Sequence, residues 1–492
     1  MFVKESEIKV KIEEMLKKPY HKNDIDYILY QLLEITDDIY VEQTLERVES
    51  MTSISKQKLR NALDKLEIKK AQSKNKNFET SSIEDAEKIY EQIVDDNGMH
   101  FVYLDGNIVK TTDSVVTLIG TYMPIQAAPD LIKRGVIKLP QKAEEFTSVK
   151  ELIDEIEKHI RTYCDVSDSF IKVSAYYVLF SWIYDKFRNP LFYLRVLGDT
   201  GTGKSRYLDV TGGICYKPIK LSGAITPAPI YRMIEKWHGT FILDEADRRQ
   251  SDTTDEVVKI LNCGIDPFTP VIRCNAKDPD ELQFFNTYCP KVISTRLRFY
   301  DTALESRCIT EIMQPTDKNI PPTLPKEFFG EQKTLRNKLL MFRLKSWNLR
   351  DSKPQKINEI DLGDIDPRLR QVMVTFASLF EHDDEAFSDL KKFVEEKNKA
   401  LIEERSQSLE GMIVSTIIEN DNEIKSGLTP SELSNRIVWL HDIKPPDVRV
   451  FGRHLKSLVI EVKNQTRAGQ TKNYIQYNKE LFVKLTKKYI PL

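Results

Sequence analysis

Apolar residues are spaced along this chain in blocks of two kinds. From Glu5 to about Ile68 they recur at helical spacing, with Tyr27, Ile28, Leu32, Leu33 and Ile35 on one stripe, which predicts a helical unit. Ser55 caps a further helix carrying Lys56, Lys58 and Arg60, and a basic helix after a short turn can read DNA or can simply face solvent. Lys69 to Ser82 is polar and predicts a linker. Between residues 83 and 145 the pattern mixes a helix over Ala86–Asp95 with short strands. There Met99–Leu104 and Asn107–Val109 flank Asp105-Gly106, a hairpin signal.

Helical spacing returns from Ser148 to Phe187 and stops at Arg188-Asn189-Pro190. The continuous run Leu191–Leu197 then predicts a buried parallel strand. Thr226-Pro227 starts another helix, Thr240–Leu243 is a second apolar strand, and Asp255–Leu261 is helical. Thr269–Phe285 has two strand-like arms around Lys277-Asp278-Pro279-Asp280, a β-hairpin. Lys291–Thr295 is a further core strand. Phe328–Trp347, the helix opened by Asp366-Pro367, and Lys391–Glu404 predict a helical block. The last part predicts three helices, at Met412–Ile418, after the Thr429–Glu432 capping box, and after Pro446-Asp447. Strands at Val459–Val462 and Asn473–Tyr477 follow, around a loop from Lys463 to Lys472. Three helices and a hairpin make a winged-helix plan.

The chemistry sits at two strand ends. Gly198-Asp199-Thr200-Gly201-Thr202-Gly203-Lys204-Ser205 follows the first core strand and fits the phosphate-loop pattern at every fixed position. Glycines let backbone N–H groups converge on a phosphate, and the helix N-terminus adds a favourable dipole. Lys204 would reach the β- and γ-phosphates of ATP, and the Ser205 hydroxyl would hold Mg2+. Phe241–Leu243 ends in Asp244 and Glu245, the first suited to the Mg2+ shell and the second to polarising an attacking water. Together these predict nucleotide hydrolysis.

Composition narrows the setting. With 492 residues the chain is long enough for three or four domains, and a net charge of -2 means that any nucleic-acid surface must be local. The cysteines Cys164, Cys215, Cys263, Cys274, Cys289 and Cys308 are scattered without C-x-x-C spacing, as expected of reduced thiols in a cytoplasmic protein. His100, His159 and His238 do not cluster with them, so no zinc site is expected. No apolar run is long enough to span a bilayer.

The phosphate loop, Phe241–Glu245, the hairpin before the next strand, Leu304-Glu305-Ser306-Arg307 and the Pro367-Arg368 helix together resemble the AAA+ superfamily and its hexameric helicases. MCM-like helicases of mobile elements and viruses look most similar, over about residues 146–400 and in the plan of the C-terminus. No zinc-binding module precedes them, which disfavours a cellular MCM. The resemblance implies an α/β, P-loop NTPase core with an N-terminal helical and α+β region and a C-terminal winged helix. The expected units are a helical domain over 1–70, a small α/β module over 83–145, an ATPase core over 146–312, a helical lid over 326–405 and a winged helix over 409–492.

The same resemblance gives roles to single residues. Thr295, with Ser294 as its alternative, would be the first sensor, although the family often has Asn there. Arg307 would reach into the neighbouring subunit's nucleotide, and Arg368, with Arg370 as its alternative, would be the second sensor. Lys277 would touch single-stranded DNA in a ring channel. Arg449, Arg453 and Lys456, with Arg467 on the wing, would hold duplex DNA. The implied protein is a hexameric, ATP-dependent DNA helicase for replication of a mobile element, plasmid or virus. An ATP-switched DNA-binding initiator that does not unwind is the alternative. A protein-remodelling machine fits less well, since such machines usually carry aromatic pore loops.

Overall fold

A computed structural model describes residues 2–491 except 18–21, 34, 53, 74–75, 86–87, 118, 127–128, 188, 223–224, 247–251, 276–277, 279, 317, 348–356, 381–382, 442–443, 445 and 468–469. Its centre is a parallel sheet of five strands. They are β1 (Tyr193–Leu197), β2 (Ile219–Ser222), β3 (Phe241–Asp244), β4 (Lys291–Thr295) and β5 (Cys308–Ile312). Their spatial order is β5-β1-β4-β3-β2, with every neighbouring pair parallel. The chain leaves β1 for the far edge and returns to insert β4 between β1 and β3. Residues 191–194 are all buried, which is why this run lacks the alternation of a half-exposed strand.

Helices Val149–Tyr163 and Asp168–Ser181 precede β1, and the second is buried along most of its length. Ser148 and Ser167 cap them, each accepting a backbone N–H with its hydroxyl. Helix Lys326–Trp347 packs on Val149–Tyr163, while Phe376 of helix Pro367–Ala377 meets Phe180 and Phe192, and Phe380, just past that helix, meets Tyr176. The helices that follow the sheet therefore share one apolar interior with it.

Two expectations between residues 69 and 95 are corrected. The helix Lys56–Ser73 runs into the expected linker as far as Ser73, and Asn77–Thr80, later in that stretch, is a strand paired in parallel with Thr121–Pro124. The expected helix over Ala86–Asp95 is a strand, Lys88–Asp95, in an antiparallel sheet with Ser82–Asp85, Gly98–Asp105 and Ile108–Thr112. The cause is the inward side chain of Glu91, which is buried. It accepts from Arg343 Nε at 2.7 Å and pairs with Lys217 Nζ at 2.8 Å. Tyr216 donates its hydroxyl to both Glu91 oxygens at 3.0 Å. Arg343 also makes a two-pronged contact with Asp185. Burial pushes the Lys217 ammonium down to about 8, against the pull of Glu91. Ile89, Ile93, Val102 and Leu104 join the same interior as the parallel sheet.

The expected hairpin around Asp105-Gly106 is present, with Asp105 opposite Ile108 and Gly106 at a φ of 61°. The N-terminal helices have a small core of their own around Ile12, Ile28, Leu45 and Val48. Lys56 pairs there with Glu42 and Glu46, and Arg60 with Glu42, so both face acids on the preceding helix.

The last part of the chain also has a separate core, including Ile413, Ile417, Leu433, Ile437, Phe451, Leu455, Ile475 and Phe482. Helices Leu409–Glu419, Pro430–His441 and Val448–Ser457 lead into the antiparallel pair Val462–Arg467 and Gln470–Ile475. A short helix, Asp421–Ser426, and a final one, Lys479–Tyr489, add to the expected plan. The strands extend into the expected loop, so Lys463 and Lys472 sit on them. The capping box is reciprocal: Glu432 accepts the Thr429 N–H at 2.8 Å and Thr429 Oγ1 accepts the Glu432 N–H at 3.3 Å. Among the described residues no helix is long and apolar enough to cross a membrane.

Candidate nucleotide site

The loop 198–205 leaves the C-terminal end of β1 and enters helix Lys204–Val210. The neighbouring strands hold it: Gly198 donates its N–H to Thr295 O at 3.2 Å, and Met313 donates to Leu197 O at 2.7 Å. A Cβ on Gly198 would stand 2.7 Å from Met313 O, so only glycine fits. Gly201 and Gly203 have φ of 86° and 91°, the left-handed region that turns successive N–H groups inward. Lys204 is buried, and its ammonium donates to the carbonyls of Gly198 and Asp199, both at 2.6 Å. An ammonium has three donors, so one is left for a phosphate oxygen. The Ser205 side chain is exposed at the first turn of the helix.

Asp244 ends β3, two strands away from β1 across β4. Ser294 on β4 donates its hydroxyl to Asp244 Oδ1 at 2.5 Å and accepts the backbone N–H of Glu245 at 3.0 Å. That second contact fixes Glu245 in the left-handed region, at a φ of 56°. Ser294, the alternative to Thr295, is therefore the β4 hydroxyl that touches the carboxylate pair. The Thr295 hydroxyl is buried with no hydrogen-bond partner among the described residues. A hydroxyl at Ser205, a carboxylate at Asp244 and a cradle of backbone N–H groups are the oxygen donors and anion-binding dipoles that Mg2+ and a phosphate chain require. Among the described residues no group of three or more His, Cys, Asp or Glu could hold a metal ion by itself.

Sequence reasoning passed over Arg296. It is the residue after Thr295, and its guanidinium forms an ion pair with Glu245 Oε1. Its only signal was a cation one step past a strand end, and the partner lies far away in sequence.

The remaining arginines lie elsewhere. Arg307 directly precedes β5, and Cys308 pairs with Tyr193, the first residue of β1. Its Nη1 donates to Asn262 Oδ1 at 2.8 Å. Arg368 stands beside it, donating to Ser306 Oγ at 3.2 Å. Burial, and then the neighbouring Arg368, push the Arg307 guanidinium below its usual range. Both residues thus sit at the opposite end of the strands from loop 198–205, across a strand length of roughly 16 Å. Arg370 is turned to the carbonyls of Ile360 and Gly363.

The hairpin Val271–Cys274 with Leu282–Phe285 is present, and Lys277 lies outside the described residues. Its described tip residues Asp278, Asp280 and Glu281 are exposed and acidic. Arg449, Arg453 and Lys456 are exposed on Val448–Ser457, a spacing that puts them on one face. Arg467 falls at the end of its strand.

No family model matches this chain, and no curated protein matches it. Some solved structures overlap it loosely. The apo structure of the NrS-1 C-terminal region is 11% identical, with a TM-score of 0.39, covering 79% of this chain and 96% of that one. The structure titled SCCmec type IV Cch, active helicase, is 9% identical, with a TM-score of 0.42, covering 89% of this chain and 88% of that one.

Proposed function

We propose that this chain is an ATP-hydrolysing DNA helicase that works as a ring, in the replication of a mobile element, plasmid or virus. One observation carries the reading. Loop 198–205 and the Asp244–Glu245 pair open at the same end of one parallel sheet, joined through β4 by Ser294. In this reading Lys204 and the loop N–H groups hold the phosphates of the substrate ATP, and Glu245 accepts a proton from the attacking water. Ser205 and Asp244 would hold Mg2+, which neutralises phosphate charge when bound.

The placement of Arg307 and Arg368 favours assembly. A strand length separates them from the loop of their own chain, so they serve a nucleotide only at a neighbour's loop. A contact between unlike surfaces of identical chains closes into a ring if its rotation closes. The exposed cations of Val448–Ser457 supply a DNA-binding face, and a winged-helix role for 409–492 belongs to this proposal.

The test is strand displacement on a forked DNA duplex, with ATP turnover measured in parallel. Lys204→Ala should abolish both, and Glu245→Gln should bind ATP but turn it over at least a hundredfold more slowly, on the order expected for loss of a general base. Normal turnover by Glu245→Gln refutes the site. ATP turnover and DNA binding without strand displacement would favour the initiator instead.

A further inference from the structure

We propose that Arg296 is a cation that exchanges partners within the nucleotide site. It holds Glu245 when no triphosphate is present and moves to the γ-phosphoryl oxygens when one binds. The inference rests on reading 198–205 as the phosphate loop.

Three observations place it. Thr295 O accepts the N–H of Gly198, so Arg296 begins one residue past the point where β4 grips the loop. Its guanidinium already reaches Glu245, at the end of the next strand. Both partners of that pair are about half exposed, 51% and 58%, so the pair faces the open end of the sheet.

The energetics favour exchange. An exposed ion pair contributes little to stability, so little is lost when it opens. A terminal phosphoryl group offers a planar guanidinium more negative charge and two oxygens at once. The diphosphate lacks that group and leaves Arg296 on Glu245. The geometry of Glu245 gives the exchange its effect. Ser294 pins its backbone, and Arg296 occupies one carboxylate oxygen, so that oxygen is not free to take a proton from water. Binding of the triphosphate both places the substrate and releases the base. Arg296 itself becomes a charge-stabilising contact in cis, separate from Arg307.

The test measures nucleotide affinity in the full-length protein with Mg2+, by displacement of a fluorescent ADP analogue. The competitors are ADP and the non-hydrolysable triphosphate adenosine 5′-(β,γ-imido)triphosphate. Arg296→Ala should weaken the triphosphate about tenfold and leave ADP unchanged, the size expected for one charge-assisted contact. Arg296→Lys should recover part of that loss. Glu245→Gln removes the competing carboxylate and should tighten the triphosphate by about threefold, again without touching ADP. That gain should vanish in the Arg296→Ala/Glu245→Gln double variant. Equal weakening of both nucleotides by Arg296→Ala, or no change in either, overturns the proposal. Lys204→Ala separates the two failures: if it binds both nucleotides as tightly as the unaltered protein, the phosphate-loop reading falls as well.

Discussion

The parallel-sheet region and the C-terminal segment solve the same folding problem with opposite interiors. Around the sheet the interior includes Glu91, Arg195, Lys217, Lys291 and Arg343, all essentially inaccessible to solvent. Beyond Ser378 the only buried polar side chain among the described residues is Thr416. The C-terminal core is apolar, and its cations stand outside on Val448–Ser457. An apolar core tolerates repacking and leaves the surface free to carry charge. Buried ion networks add little net stability, but each member is costly to remove singly. The sheet region therefore gains fixed geometry, and the C-terminal segment keeps a surface open to change.

The largest effect should come from breaking the buried network. Arg343→Met leaves Glu91 and Asp185 without their main counter-charge and should lower unfolding stability by about 3–5 kcal/mol. Chemical denaturation measures this, and a loss below about 1 kcal/mol would mean that water or Lys217 substitutes for the guanidinium. Next, replacing Arg449, Arg453 and Lys456 together by Ala should weaken duplex DNA binding by about ten- to a hundredfold and reduce the salt slope by about three. Basal ATP turnover should not change. An unaltered salt slope would remove this face from the DNA interface. The smallest effect is local: Glu432→Ala takes away one half of the capping box and should cost about 0.5–1 kcal/mol in the unfolding of the C-terminal segment. If the same variant slowed ATP turnover, the two regions would not be independent.

Local signals in the sequence were readable where one residue decides one contact. Ser148, Asp366 and Asp447 cap the helices that follow them, and Gly198–Ser205 joins a strand to a helix as the pattern requires. The failure at Lys88–Asp95 has a physical cause. Ile89, Tyr90, Ile93 and Val94 fit helical spacing, while the polar Glu91 and Gln92 between them suggest a solvent face. Both are buried. Glu91 meets Arg343, and Gln92 exchanges hydrogen bonds with the backbone of Ile125 at 3.1 Å in each direction. Their partners lie far off in sequence, so no local pattern could reveal them. Arg296 was overlooked for the same reason. The roles given to Thr295 and Arg368 come only from resemblance. Ser294 and Arg296 come from which side chains β3 and β4 bring together.

The Glu91 network also decides where this chain can be cut. A fragment begun at residue 146, just before the first helix of the sheet region, would contain Arg343, Lys217 and Tyr216 but lack Glu91 and Ser81. Strand Lys88–Asp95 would no longer cover that flank, and two cations would face an apolar cleft with only Asp185 to answer them. The smallest piece that keeps every buried charge answered must begin before Ser81, and starting ahead of Asn77 also keeps the strand that pairs with Thr121–Pro124.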